Sequence, residues 1–358
     1  MYFMDAPKHT ISVTKTNKSR FHEVDFDNLA FGDVFTDHMF ICEYRDGQWH
    51  DPKVVPYGPI ALEPAAKVFH YGQEIFEGMK AYKDEAGKVW LFRPLENHKR
   101  LNKSASRLAI PELPESIFMQ GLEELLRMDH HWIPQRADSS LYIRPFIIAS
   151  GTGFHASPAN RYLFIIACAP SGQYFSGKVS VKIEETYSRA AHGGVGYAKA
   201  GGNYAGSFYP MQLAVAEGFQ QVVWTDDSTH EFVEEAGAMN VFARIGDTLV
   251  TCPTSDRILD GITRKSILQL AEAEGIPVEV RAIKVSELIE AAETGTLKEL
   301  FGAGTAAVVS PISSFGYRGK LYQLPEIQDS YASHFKKGIT DIQFNRAADK
   351  FGWRHLVC

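Results

Sequence analysis

A lysine set between glycine pairs is the first place in this sequence where chemistry concentrates. The stretch reads Gly193-Gly194-Val195-Gly196-Tyr197-Ala198-Lys199-Ala200-Gly201-Gly202-Asn203-Tyr204. Lysine forms imines with aldehydes once its pKa is lowered, and glycine lets the backbone approach a ligand closely. Taken alone, the glycine pattern reads better as a flexible surface loop with a solvated lysine. It is not a nucleotide loop, because neither GxGxxG nor GxxxxGK[ST] is present.

Four further segments carry suggestive residue types. In Phe232 to Val241, apolar residues flank Glu234 and Glu235 at the mouth of a strand-like run. A carboxylate there suits a protonated pyridine nitrogen; two solvated glutamates in a turn are the plain alternative. In Leu259 to Ser266, Gly261 precedes a helix start, whose open N–H groups suit a phosphate; an ordinary helix start reads the same way. Leu300 to Val309 is a glycine-containing turn running into a buried strand, with the Thr305 hydroxyl available to an anion. It is also a plain tight turn. His70 to Tyr82 offers aromatic residues for an apolar pocket, and Arg93 to Leu101 offers an arginine to clamp a phosphate. A core strand followed by an amphipathic helix accounts for the same pattern.

These residues need elements to position them. Leu163 to Ala167 reads as a buried strand and Lys178 to Ile183 as a half-buried one, with the Gly/Ser segment from Ser171 to Gly177 between them as a linker. Val89 to Phe92 is a strand, and Pro94 opens a helix running to about Leu108. Phe118, Leu122 and Leu125 share one helical face. Further on, Ser207 to Glu217, Thr263 to Ala273 and Ser286 to Glu293 read as helices. Val222 to Trp224, Asn240 to Ile245, Leu249-Val250 and the alternating Val278, Val280 and Ala282 read as strands. Both halves mix α and β.

At 358 residues the chain exceeds what one hydrophobic core usually serves, so two domains are expected. Hydrophobic residues at 45% and charged residues at 22% exclude a disordered chain. A net charge of -6 without a basic run argues against nucleic acid or an anionic membrane as partner. The longest apolar stretch, Tyr162 to Pro170, is too short to span a bilayer. Four cysteines, none at CxxC spacing and none in a Cys/His cluster, predict no metal site and no disulfide framework. A reducing, cytoplasmic setting fits best, and the polar N-terminus lacks the apolar run of a signal peptide.

Five segments together, in this order, resemble the branched-chain aminotransferases of the fold-type IV pyridoxal-phosphate enzymes. They are HYGQEIFEGMKAY from His70, GGVGYAKAGGNYAG from Gly193, EEAGAMNVF from Glu234, LDGITRKSIL from Leu259 and FGAGTAAVVSPI from Phe301. The resemblance runs from about Phe31 to the C-terminus. It implies an α/β fold of the α+β type: a small N-terminal domain over residues 1–172, a linker over 173–182 and a larger cofactor-binding domain over 183–358. It also implies pyridoxal 5'-phosphate as cofactor, lying between the domains of a homodimer.

By the same resemblance Lys199 is the imine-forming lysine and the base. Glu235 partners the pyridine nitrogen, Tyr204 the phenolic oxygen, and Arg100 the phosphate. The N–H groups of Ile262 and Thr263 with the Thr305 hydroxyl complete the phosphate cup, and Arg189 matches an arginine near the cofactor. Phe31, Tyr71, Phe76, Tyr142, Arg144 and Tyr174 line the substrate pocket. Ala306 N–H helps hold the substrate carboxylate, and a partner-subunit loop around Phe154 to Ser157 completes the site. The implied reaction moves the amino group of leucine, isoleucine or valine to 2-oxoglutarate, giving glutamate, by ping-pong chemistry. Arg144 and the tyrosines are the expected donors to glutamate's distal carboxylate.

Two positions depart from the pattern. Ala238 stands where some members have a substrate-binding threonine, so Tyr142 and backbone N–H groups are expected to compensate. Ala307 and Ser310 stand where some animal members carry a CxxC pair, so no thiol switch is expected. A D-amino-acid aminotransferase or aminodeoxychorismate lyase of the same fold would keep Lys199 and Glu235. Such enzymes are typically shorter and lack the extended first and last matches. A non-catalytic phosphate binder is the remote alternative.

Overall fold

The computed structural model describes residues 9–136, 139–172 and 177–358. The chain forms two compact units: Met1–Tyr174 with Ala198–Gly201 and Ile342–Cys358, and Phe175–Tyr197 with Gly202–Asp341.

The first unit is built on a mainly antiparallel sheet. Its strands are β1 (Ser12–Val13), β2 (His38–Arg45), β3 (Gln48–Pro56), β4 (Glu74–Phe76), β5 (Met79–Lys83), β6 (Val89–Phe92), β7 (Ser140–Ala149) and β8 (Tyr162–Ser171), with Arg354–Leu356 from the chain's end. They lie in the order β1-β3-β2-β8-β7-β5-β6-Arg354–Leu356, and β4 pairs with β7. Helices α1 (Lys67–Tyr71), α2 (Pro94–Arg107) and α3 (Glu115–Met128) complete the unit.

Helix α2 starts where Pro94, with its fixed φ, follows Arg93 in a left-handed conformation. Its inward face carries Asn97, Arg100, Leu101, Ser104 and Ala105, at the spacing of one helical stripe. Helix α3 buries Ile117, Phe118, Leu122, Leu125 and Leu126. Gly121 lets this helix lie close on β2, since a Cβ there would fall 2.8 Å from the Phe40 ring. Phe40, Phe118, Phe164 and Trp132 are fully buried, each contributing about 1.5–3 kcal/mol of burial free energy.

The second unit holds β9 (Val179–Ile183), β10 (Gln221–Thr225), β11 (Phe232–Ala236), β12 (Met239–Ile245), β13 (Thr248–Thr251), β14 (Val278–Val280), β15 (Ile283–Lys284), β16 (Leu297–Gly304), β17 (Val308–Tyr317) and β18 (Lys320–Gln323). Their order is β14-β13-β12-β16-β17-β9-β10-β11-β15, with β18 on β17. An additional β11–β12 pairing closes the strands from β12 through β11 into a ring, which leaves those strands without open edges. Helices α4 (Gly202–Ala205), α5 (Phe208–Ala216), α6 (Ile262–Glu274) and α7 (Val285–Glu293) belong here, and α8 (Tyr331–Gln343) precedes the final segment.

Three expectations are refined. Gly302 and Gly304 lie inside β16, and the turn falls on Thr305 to Ala307; Gly302 makes room for Met239, whose Cε would sit 2.6 Å from a Cβ there. The alternating run from Val278 stops at Val280, because Ile283 and Lys284 pair with β11 instead. The units are discontinuous, where the sequence suggested one cut. The last strand pairs with β6 through Arg354–Phe92, His355–Leu91 and Leu356–Trp90, which draws the chain's end into the first unit. Residues 173–176 of the expected linker lie outside the described residues.

Candidate active site

Within the first unit, Lys199 is held at both ends. Its N–H donates to Ser104 Oγ at 2.9 Å, and its carbonyl accepts from Phe76 N–H at 2.9 Å. Its Nζ stands 4.7 Å from the centre of the Phe76 ring. The Arg144 guanidinium also stands over this ring, 4.6 Å from its centre, so one aromatic packs against both side chains.

Phe76 sits in β4, where it pairs with Phe146 of β7. Arg144 and Tyr142 stand two apart on β7 and so share a face. The Arg144 guanidinium donates to the Tyr142 hydroxyl at 3.0 Å, and the Phe31 ring meets Tyr142 edge-on at 4.8 Å. Arg144 Nε is buried without a hydrogen-bond partner. Gly78 clears the space for Tyr142, whose hydroxyl would collide with a Cβ there. Phe31, Phe76, Tyr142 and Arg144 therefore form one aromatic group around a single guanidinium.

Arg100 is buried on α2 and grips Glu77 with two bonds, Nε to Oε1 at 2.7 Å and Nη2 to Oε2 at 2.8 Å. Glu77 is fully buried and also accepts from Asn97 Nδ2 at 2.8 Å. A buried ion pair of this kind fixes the direction of the arginine at the expense of desolvation. Tyr71 is held to the neighbouring loop, donating its hydroxyl to the Phe154 carbonyl. His70 meets the Phe154 ring edge-on at 5.1 Å, and Lys67 Nζ donates to the Ser157 carbonyl at 2.8 Å. The loop from Phe154 to Ser157 is thus fastened by α1. Tyr174 lies outside the described residues.

Within the second unit, Glu235 is buried in β11. Its Oε1 accepts from Leu259 N–H at 2.9 Å and from Asn240 Nδ2 at 3.2 Å, and its Oε2 meets Arg189 Nε at 3.0 Å. All three of these groups donate to the carboxylate and fix its orientation. Arg189 is placed in turn by the carbonyls of Gly196, at 3.2 Å, and Arg257. The adjacent Glu234 faces Arg257; burial pushes its carboxyl above the ordinary value despite that ion pair.

Asn240 ties Glu235 to the approach of α6, donating also to the Leu259 carbonyl at 2.9 Å. Gly261 accommodates it, since a Cβ there would collide with Asn240 Oδ1. Gly261 caps α6 without a side chain, so the first N–H groups of the helix, at Ile262 and Thr263, meet no side-chain cap from it. Asn240 pairs with Ala303 across β12 and β16. Ala238 and the Thr305–Ala306 turn therefore share one end of the sheet with Glu235. Val308 closes that turn at φ +59°, a strained conformation for a β-branched residue and one that clusters at functional sites. Tyr204 stands half-buried in α4, where its carbonyl accepts from Ser207 N–H at 3.0 Å.

The sequence reading missed Glu77, Ser104 and Asn240. Glu77 is the second of two acids in the His70–Tyr82 motif, between two short strands, and the one-turn spacing from Arg100 marks Ser104. Asn240 carries no signal beyond following a glycine turn. No metal-ligating cluster occurs among the described residues, and no helix among them is long and apolar enough to cross a membrane.

The family model described as amino-transferase class IV matches residues 74–315. The chain is 41% identical over 351 residues to branched-chain-amino-acid aminotransferase 2 of Bacillus subtilis (strain 168), covering 97% of this chain and 96% of that protein. It is similar in structure to the branched-chain amino acid aminotransferase of Escherichia coli, with TM-score 0.75 and 26% identity over 90% of this chain and 99% of that one. It is also similar to a T.th. branched-chain amino acid aminotransferase complexed with N-(5'-phosphopyridoxyl)-L-glutamate, with TM-score 0.70 and 26% identity over 88% of this chain and 98% of that one.

Proposed function

The chain belongs to the class IV aminotransferases, and from that premise we infer that it moves the amino group of leucine, isoleucine or valine to 2-oxoglutarate with pyridoxal 5'-phosphate as cofactor. The observation that carries the substrate reading is Arg144, a guanidinium with an unbonded buried nitrogen set among Phe31, Phe76 and Tyr142. Aromatic walls suit an aliphatic side chain, and one cation suits the distal carboxylate of glutamate.

The residues present fit the cofactor: an amine against an aromatic ring at Lys199, a Glu235 carboxylate oriented by three donors, and an α6 start with no side-chain cap at Gly261. When bound, the cofactor supplies an aldehyde and a ring that delocalises the electrons left at the substrate's α-carbon. Lys199 anchors it and moves the proton at that carbon. Glu235, oriented by Arg189, Asn240 and Leu259 N–H, holds the ring nitrogen protonated. Arg100, Thr305 and the N–H groups of Ile262 and Thr263 hold the phosphate, and Tyr204 the phenolic oxygen. Tyr142 and Ala306 N–H bind the substrate carboxylate in place of a hydroxyl at Ala238. Discrimination among the three aliphatic substrates is weak, since one methylene is worth about 1–3 kcal/mol.

The working unit is a homodimer. Helix α5 is apolar yet exposes Phe208, Tyr209, Leu213 and Val215, and Phe154 is 73% exposed on the loop fastened by α1. Apolar surface of that extent favours a partner, and the Phe154–Ser157 loop completes the partner's pocket. A cytoplasmic setting fits four unpaired cysteines, three of them buried.

The test is the visible spectrum of the purified protein. Loss of the cofactor's long-wavelength band with L-leucine but not D-alanine, and its return with 2-oxoglutarate, is the expected result. No band after incubation with pyridoxal phosphate would overturn the reading.

A further inference from the structure

The four residues around Lys199 form a short island in the chain. Ala198–Gly201 packs as part of the first unit, whereas Tyr197 before it and Gly202 after it belong to the second. Glycines are frequent around the island, and nothing lies within 4 Å of a Cβ built at Gly202. Such a backbone has many paths open to it, so its course needs fastening from outside.

Three fastenings are present. Ser104, fully buried, accepts from Lys199 N–H at 2.9 Å and gives its own proton to the Arg100 carbonyl at 3.0 Å. One hydroxyl thereby joins the backbone of Arg100 to that of Lys199, with donor and acceptor roles both assigned. Phe76 N–H takes the Lys199 carbonyl, and its ring faces the Lys199 amine. The Glu74 carboxylate packs directly against the Gly201 backbone, whose N–H favours its charged form against the effect of burial. That approach excludes any side chain, since a Cβ at Gly201 would collide with Glu74 Oε1.

We propose that Ser104 and Glu74 are positioning residues that clamp the backbone of the Lys199 segment, so that helix α2 and strand β4 set the direction of the amine. The proposal rests on the reading of Lys199 as the reactive lysine. A small rotation of the Lys199 peptide swings a long side chain, and misplacing a reacting group by about 1 Å can cost on the order of 100-fold in rate.

The experiment compares Ser104→Ala, Glu74→Ala and Glu74→Gln as full-length holoenzymes. Amide hydrogen exchange is followed in peptides holding Lys199 and Gly201, and kcat and KM are measured for L-leucine. Borohydride reduction, which fixes the cofactor to its lysine, is mapped by mass spectrometry. In Ser104→Ala and Glu74→Ala, local exchange is expected to quicken about tenfold, the equivalent of one lost hydrogen bond. In the same variants kcat should fall roughly 10- to 100-fold while KM moves little. Glu74→Gln, whose amide oxygen can still accept from Gly201 N–H, should recover both. Unchanged exchange, quickened exchange with unchanged kcat, or a Glu74→Gln as damaged as Glu74→Ala would overturn the clamp. Reduction at a lysine other than Lys199 would overturn the functional reading itself; label on Lys199 with wild-type behaviour of the variants would sink the clamp alone.

Discussion

Lys199, Arg144 and Glu77 each meet a separate physical demand. In the proposed function, Lys199 supplies the amine that anchors the cofactor and moves a proton. Lys199→Ala is therefore expected to lose all measurable turnover in a coupled 2-oxo-acid assay; ordinary rates would remove Lys199 from its role. In the same proposal, Arg144 serves chiefly the substrate with a second carboxylate. A charge-assisted hydrogen bond is worth about 1.5–3 kcal/mol, so Arg144→Ala should raise KM for glutamate on the order of 10- to 100-fold. The leucine value should stay within about threefold, and equal losses for both substrates would count against this placement. Glu77 lies fully buried against Arg100. Truncating one partner of a buried pair strands the other charge, so Glu77→Ala should cost about 3–5 kcal/mol in urea unfolding. A cost near zero would mean that the pair is solvated.

At the scale of elements, the hairpin that carries Glu235 is anchored where β10 leads into β11. Burial opposes ionisation of Asp226 there, but bonds from Phe232 N–H, Thr229 N–H and the hydroxyls of Thr229 and Ser228 outweigh it and hold the carboxyl well below its ordinary value of 3.8. A carboxylate depressed in the folded state stabilises fully above its unfolded value. That contribution drains as pH falls through the folded one. Asp226→Ala is thus expected to cost about 2–3 kcal/mol at neutral pH, a deficit that shrinks on acidification below pH 3.8. Thermal unfolding of both proteins across acidic pH measures it; a deficit independent of pH would exclude the carboxylate as its source.

For the whole molecule, the proposed homodimer rests on the exposed apolar residues of α5. Phe208 and Val215 are 68% and 57% exposed. Phe208→Glu combined with Val215→Glu should convert a dimer to a monomer in sedimentation equilibrium and lower activity with it. An unchanged sedimenting mass would place the interface elsewhere.

Much of this protein follows from residue order. The strands at Val89–Phe92 and Val179–Ile183 and the helices α2, α5, α6 and α7 are legible because their periodicity, Pro94 and Gly261 are local signals. The chemistry-bearing residues are legible as types in five separated motifs. Their partners are not. Glu77 meets Arg100, Ser104 meets Lys199 and Asn240 meets Gly261 across the chain, and no spacing rule connects residues so far apart. The ring closed by β11 and β12 and the pairing of Arg354–Leu356 with β6 are likewise matters of register between distant strands. Periodicity states which face of a strand is buried, but not which strand lies beside it. Residue order alone thus dictates the elements and the chemical groups they carry. Tertiary packing assigns which group orients which, because burial and hydrogen bonding are satisfied between neighbours in space.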